Sequence, residues 1–172
     1  DSSLVSNLVE RLITGCIVKR LFYLYRRTKQ VNPRLFQSLP ELMILFEEAP
    51  RVLGKDVLQH GSNIFARIAR EGRKFKVGLC AITQMPSLLP QEVLSQMNTK
   101  VVLGITSPSD RQAIINSSAQ DISDESVEIQ MLDTGEALIT SPFIKFPLPV
   151  MVHFFDEVIP DSAGPDLTIG LS

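Results

Sequence analysis

Two adjacent carboxylates, Glu47 and Glu48, close the continuous apolar run Leu42-Met43-Ile44-Leu45-Phe46. Acids at the end of such a run are costly unless they reach solvent, bind a cation or activate a nucleophile. In nucleotide hydrolysis one acid of this kind holds the Mg²⁺ shell while the other accepts or orients the proton of an attacking water. A polar pair, Thr83-Gln84, ends a second apolar run that starts at Val77. If the two runs are adjacent parallel strands, Gln84 stands beside Glu48, where its amide can touch both a phosphate oxygen and a water. Taken alone the signal is weak, since a Thr-Gln after a strand is in most proteins merely a turn with a satisfied amide. Between the runs lie Arg67, Arg70, Arg73, Lys74 and Lys76. These cations can stabilise phosphoryl-transfer charge in a neighbouring subunit, contact nucleic-acid phosphate, or complement the dipole of the helix end they occupy.

Other chemistries find less support. No Gly-x-x-x-x-Gly-Lys-Ser/Thr occurs, and Gly54-Lys55 is followed by Asp56, so a phosphate-cradling loop is absent from this sequence. His60 and His153 have no partner at metal-ligand spacing and are expected to be structural. Cys16 and Cys80 sit in apolar runs without the spacing of a metal site or redox pair and are expected to be buried, reduced thiols. No signal peptide or charge-free stretch long enough to cross a membrane is present, and a cytoplasmic location with no membrane partner is expected. The sequence opens on Asp1 in what reads as a helix, and a fragment of a longer protein is expected.

The chain has 172 residues, 44% hydrophobic and 21% charged, enough for one core. Its net charge of −2 hides an asymmetry. Residues 1–100 hold 15 basic and 8 acidic side chains, and residues 101–172 hold 2 basic and 11 acidic. An acidic ligand is expected to meet the first half.

The elements that position these residues follow from periodicity. Leu4, Val5, Leu8, Leu12, Ile13, Ile17, Leu21 and Leu24 recur at helical spacing, so residues 3–27 read as a long amphipathic helix. Pro33 and Pro40 bracket a connection. The run 42–46 suits a strand buried on both faces. Val57, Ile64, Phe65 and Ile68 mark a second helix, capped by Asp56 and stopped at Gly72. Strands are expected over 77–83 and 100–105, with a short helix over 91–97 between them. Ser107-Pro108-Ser109-Asp110 opens a helix through Asn116. Strands over 135–141 and 150–155 follow. Alternating apolar strands and helices predict an α/β architecture with a parallel core sheet.

The order of motifs is recognisable. Glu47-Glu48-Ala49 after an apolar strand, Glu71-Gly72-Arg73-Lys74-Phe75 before Val77-Gly78-Leu79, Thr83-Gln84-x-Pro86-Ser87, Leu94-Ser95-Gln96-x-Asn98-Thr99 and Gly135-Glu136-Ala137-Leu138 together resemble the C-terminal half of HerA-type ATPases. These are hexameric DNA translocases of the HerA–FtsK group, found chiefly in archaea. The resemblance covers residues 1–157, with 158–172 as a C-terminal tail, and Glu71 to Asn98 is its most specific part. It implies a RecA-like P-loop NTPase core, a mostly parallel sheet flanked by helices, here lacking the Walker A part.

By that resemblance Glu47 is the Walker B acid near Mg²⁺, Glu48 polarises water, and Gln84 senses the γ-phosphate of ATP. Arg73 is similar to an arginine supplied in trans to a neighbour's nucleotide. The resemblance further implies a homo-hexamer on double-stranded DNA, acting in double-strand break repair with a NurA-type nuclease. An isolated fragment is expected to be inactive. Pro50 departs from the His often found after Glu-Glu-Ala in such proteins. The alternatives are a type IV secretion or conjugation-type ATPase, which carries a similar acid-then-Gln order, and a non-catalytic DNA or protein interaction module.

Overall fold

The computed structural model describes residues 2–58 and 63–154. Helix α1 (Ser2–Val31) is longer than its apolar period predicts. Its second half buries Val18, Phe22 and Tyr25, while Leu12, Ile13 and Ile17 remain exposed. The Pro33–Pro40 connection contains a short helix, α2 (Pro33–Ser38). Pro33 occupies its first turn, and the Asn32 side chain accepts a hydrogen bond from the Leu35 N–H. Tyr25 Oη then donates to the Pro40 carbonyl at 3.2 Å, fixing the chain where it enters the first strand.

Strand β1 (Leu42–Phe46) leads into two single-turn helices, α3 (Pro50–Leu53) and α4 (Lys55–Leu58), and then α5 (Ile64–Glu71). The expected second helix is therefore interrupted. Asn63, not Asp56, caps α5: its Oδ1 accepts from the Phe65 N–H at 2.8 Å and its Nδ2 donates to the Val52 carbonyl at 2.9 Å. His60 lies outside the described residues. Helix α5 stops at Gly72, its C-cap, as the sequence predicts, and the chain runs on through a 3₁₀ turn, Gly72–Phe75, before β2 (Val77–Ala81). A Cβ on Gly72 would lie 2.2 Å from the Val77 carbonyl oxygen, so only glycine permits this approach of turn to strand.

After β2 a 3₁₀ turn (Pro86–Leu88) and α6 (Gln91–Gln96) lead to β3 (Lys100–Val102). Helix α7 (Pro108–Ser117) follows, then α8 (Ser126–Met131), β4 (Glu136–Thr140) and β5 (Leu148–Met151). The six-residue α8 carries too short an apolar period to be seen in the sequence.

β1 and β2 pair in parallel, Leu42 opposite Val77 and Phe46 opposite Ala81. β3, β4 and β5 form a separate sheet in which both ladders are antiparallel, Lys100 opposite Thr140 and Ala137 opposite Val150. The chain is thus α/β with its parallel pairing confined to the β1–β2 core.

Phe22, Leu53, Phe65, Ile68, Val77, Val93 and Leu94 form the larger core, against which Leu42, Ile44 and Phe46 pack. Full burial of each such apolar side chain contributes about 1.5–3 kcal/mol. A second cluster joins Val102, Ile114, Ile122, Ile129 and Leu138. Helix α7 serves both, with Ala113 in the first and Ile114 in the second.

Burial of β1 on both faces is not observed. Leu42, Ile44 and Phe46 face the helices, whereas Met43 and Leu45 are 60% and 62% exposed. Val101 and Leu103 on and beyond β3 are bare to the same degree. Strand β1 therefore has one helix-covered side and one exposed apolar side, and β3 in the second sheet also exposes apolar residues.

Cys16 is exposed, which corrects its expected burial, and Cys80 is half-buried; both are free thiols. On α1 the run Gly15–Val18 sweeps round most of a turn, so Val18 reaches the core and Cys16 does not.

Candidate functional site

The ends of β1 and β2 converge. Beyond Phe46 the ladder continues: the Ile82 N–H donates to the Phe46 carbonyl at 2.8 Å, and the Ala49 N–H donates to the Ile82 carbonyl at 3.0 Å. These bonds bracket Glu47 and Glu48 against the residues that lead to Gln84. All three side chains point to solvent. Among the described residues no hydrogen bond joins Glu48 to Gln84.

Glu48 has a left-handed backbone, φ 50°. Ala49 is fully buried and Pro50 opens α3, so the chain must turn sharply between strand and core, and Glu48 takes the turn. Such a conformation costs a non-glycine residue on the order of 1 kcal/mol and is concentrated at functional sites. The Glu48 carboxylate forms an ion pair with Arg51, one turn further on. The neighbouring Glu47 carboxylate has no ion pair or hydrogen bond among the described residues. An exposed, unengaged carboxylate is suited to a hard cation such as Mg²⁺, which binds proteins through one or two carboxylates and otherwise keeps water or phosphate oxygens. No group of three His, Cys, Asp or Glu side chains forms a metal cage among the described residues.

The loop carrying Gln84 is held from three sides. Thr83 Oγ1 accepts from the Met85 N–H at 2.9 Å. Lys55 Nζ donates to the Ser87 carbonyl at 2.7 Å, and the Ser87 N–H donates to Asp110 Oδ1 at 2.9 Å. Asp110 is buried. Burial penalises its charge, but hydrogen bonds from the Ser87 side chain and N–H and from Ser107 outweigh that penalty and hold its carboxyl below the usual range. Read from sequence, Asp110 is only an acid in the first turn of α7; its partner, 23 residues away, is set by the fold. Ser107 stands at the N-cap but makes no side-chain cap bond, its Oγ meeting Ser109 Oγ at 3.0 Å.

The five cations between the strands divide. Arg67 donates to Tyr23 Oη at 3.0 Å and pairs with Glu71 at 3.4 Å. Lys76 donates to the Gln37 and Leu39 carbonyls at 2.8 and 2.9 Å, tying the start of β2 to α2. Arg70, Arg73 and Lys74 are exposed. Arg73 lies in the turn that enters β2, whereas Gln84 follows the end of that strand. The structure therefore brings Glu47, Glu48 and Gln84 to one end of the sheet and leaves Arg73 at the other.

Lys100 escapes sequence reasoning altogether. It is 7% exposed, and its Nζ donates to the Met97 carbonyl at 2.9 Å and the Ser117 carbonyl at 2.7 Å, at the ends of α6 and α7. Burial lowers its pKa to about 8. Across the ladder from it, Thr140 Oγ1 is buried without a hydrogen-bond partner among the described residues.

Comparison with known proteins places these motifs in context. A model of the Helicase HerA-like C-terminal family matches residues 23–162. The chain is 39% identical over 117 residues to the DNA double-strand break repair helicase HerA of Pyrococcus furiosus, covering 68% of this chain and 21% of that protein. It is 33% identical over 156 residues to the protein of the same name from Sulfurisphaera tokodaii, covering 90% of this chain and 31% of the relative. The chain thus spans between about a fifth and a third of the length of these curated relatives. Among solved structures, the genome packaging NTPase B204 from Sulfolobus turreted icosahedral virus 2, in complex with AMPPCP, shares the fold with a TM-score of 0.59 at 14% identity. That match covers 81% of this chain and 62% of the NTPase chain. Among the described residues, no helix is long and apolar enough to cross a membrane.

Proposed function

Because this chain belongs to the Helicase HerA-like C-terminal family, we propose that it is the distal part of an ATP-driven DNA translocase that acts on DNA ends in double-strand break repair. Glu48 carries this reading. A carboxylate held in a left-handed turn at the exit of a parallel strand, against the loop that bears Gln84, is an arrangement for handling a water beside a phosphate. The relatives' names favour a repair helicase over a secretion ATPase or a passive module.

In this reading Glu47 would contribute a ligand to Mg²⁺, and Glu48 orients the attacking water and accepts its proton. Gln84 hydrogen-bonds the terminal phosphate. The bound metal would neutralise charge on the phosphate oxygens. Thr83, Lys55 and Asp110 keep the Gln84 loop in place before substrate arrives, so little ordering is left for the moment of reaction. Arg73, at the far end of β2, serves a neighbour's nucleotide, which makes turnover depend on assembly into a ring, taken as a homo-hexamer. A nuclease of the NurA type is the expected partner.

The exposed apolar residues Met43 and Leu45 on β1 and Val101 and Leu103 on and beyond β3, and the division of the strands into two sheets, support a core completed by further chain that brings the phosphate-binding loop. Continuous apolar strands are stable only when both faces are covered. The test is ATP turnover by the full-length polypeptide, with and without Glu48→Gln. Loss of DNA-stimulated turnover is expected in the variant, and unchanged turnover would overturn the assignment.

A further inference from the structure

A groove of about 310 Å³ lies between α1 and α5, lined by Leu12, Cys16 and Ile64 together with Lys19 and Arg67. Leu12, Cys16 and Lys19 are exposed, and Ile13 and Ile17 extend the apolar surface along α1. On α1 Lys19 and the neighbouring Arg20 are both exposed, while on α5 Arg67 is paired with Glu71. The result is a groove with apolar residues in its lining whose rim is basic at Lys19, the charge of Arg67 being met by Glu71.

The other half of the chain presents the complement. Between Arg111 and Lys145 there is no basic residue, while Asp121, Asp124, Glu125, Glu128, Asp133 and Glu136 fall in this stretch. At its centre α8 is anchored through buried Ile129 and turns outward Val127 and Met131, 60% and 73% exposed. These two are four residues apart and share a face, beside exposed Asp124 and Glu128. An apolar pair within an acidic frame matches an apolar groove within a basic one, which is how stable interfaces are composed. Within one copy, α8 packs on α7, whereas α1 packs on α2, α5 and the 3₁₀ turn that carries Arg73.

We propose that α8 of one copy docks in the α1–α5 groove of the next. Because the two surfaces differ, the contact is head-to-tail, the kind that closes rings or grows filaments. The inference rests on the reading of the intact protein as an assembly in which Arg73 serves a neighbour, and it names the surfaces that meet. Docking at the groove places the Arg73 turn against the adjoining copy.

The test uses full-length protein carrying Cys80→Ser, so that Cys16 is the thiol of this region, with Val127→Cys added on α8. A short bis-maleimide should then yield a ladder of covalent oligomers, and Cys16→Ser should abolish it. Glu128→Lys should weaken self-association in sedimentation at least about tenfold, the scale of a desolvated charge pair, and Lys19→Glu should restore it. A ladder that survives Cys16→Ser, no ladder from a protein that sediments as an oligomer, or charge reversals without effect would overturn the docking. So would loss of DNA binding in Lys19→Glu with unchanged self-association, which would assign the groove to nucleic acid. ATP turnover, measured alongside, separates the two levels: an active ATPase without the ladder defeats the docking alone. An unmodified protein that neither assembles nor turns over ATP defeats the underlying reading as well.

Discussion

Arg73 and Gln84 flank β2 at opposite ends, Arg73 in the turn that enters the strand and Gln84 in the loop beyond Ala81. The five residues of β2 span roughly 16 Å at about 3.3 Å per residue. A phosphate held by Gln84 is therefore beyond the reach of Arg73 in the same subunit. If both act on ATP, they act on different molecules of it.

Mixed assemblies follow from that separation. In full-length protein, Arg73→Ala and Glu48→Gln should each reduce ATP turnover by about 10²-fold or more. Mixing the two inactive variants should restore turnover well above either alone, because some interfaces then pair an intact Arg73 with an intact Glu48. Titration of one variant against the other at fixed total protein measures it, and a flat curve at the baseline would contradict the trans role.

The left-handed backbone at Glu48 makes the position sensitive to shape as well as charge. Glu48→Gln should alter unfolding stability by no more than about 0.5 kcal/mol, since the side chain is exposed and nearly isosteric. Glu48→Val should cost about 1–2 kcal/mol, because a β-branched residue is poorly accommodated at positive φ. Denaturant unfolding of the two variants gives the comparison.

The Gln84 loop should loosen without Asp110. Asp110→Ala leaves the Ser87 N–H without its acceptor, at a cost of about 1–3 kcal/mol. Turnover should fall with stability. Asp110→Asn, which keeps an acceptor oxygen, should recover most of both. In wild type the depressed Asp110 pKa contributes stability above the ordinary carboxylate range, and this is lost as pH falls through and below it.

Lys100 has the opposite signature. Burial lowers its pKa in the folded chain to about 8 from the ordinary lysine value of 10.5, so between these values the unfolded state holds the proton that the folded state has released. Stability contributed at this site therefore rises with pH from about 8 to 10.5. Lys100→Met should remove that rise, and thermal unfolding of both proteins across this range reads it directly.

The parts of this molecule visible in its sequence are those set by local pattern. Leu42–Phe46 and Val77–Ala81 announce strands because five apolar residues in a row have little alternative, and Glu47, Glu48 and Gln84 follow as their polar ends. One-sided burial of β1 was not legible, since a continuous apolar run reports what a strand requires and not what covers it. Neither was the antiparallel course of β3 and β4, because α7 and α8 between them leave either direction open. The partners of Lys100 and Asp110 lie 17 and 23 residues away and depend on where α7 packs. Cys16 misled through composition: four apolar or small residues on a helix do not share a face.

The most direct measurement is nucleotide binding and turnover by the full-length polypeptide carrying Glu48→Gln. ATP affinity should stay within about threefold of wild type while turnover falls by about 10²-fold or more, the pattern of a group needed for the chemical step and not for binding. Turnover equal to wild type in that variant would contradict the role assigned to Glu48 and, with it, the reading of this end of the sheet as a hydrolytic site.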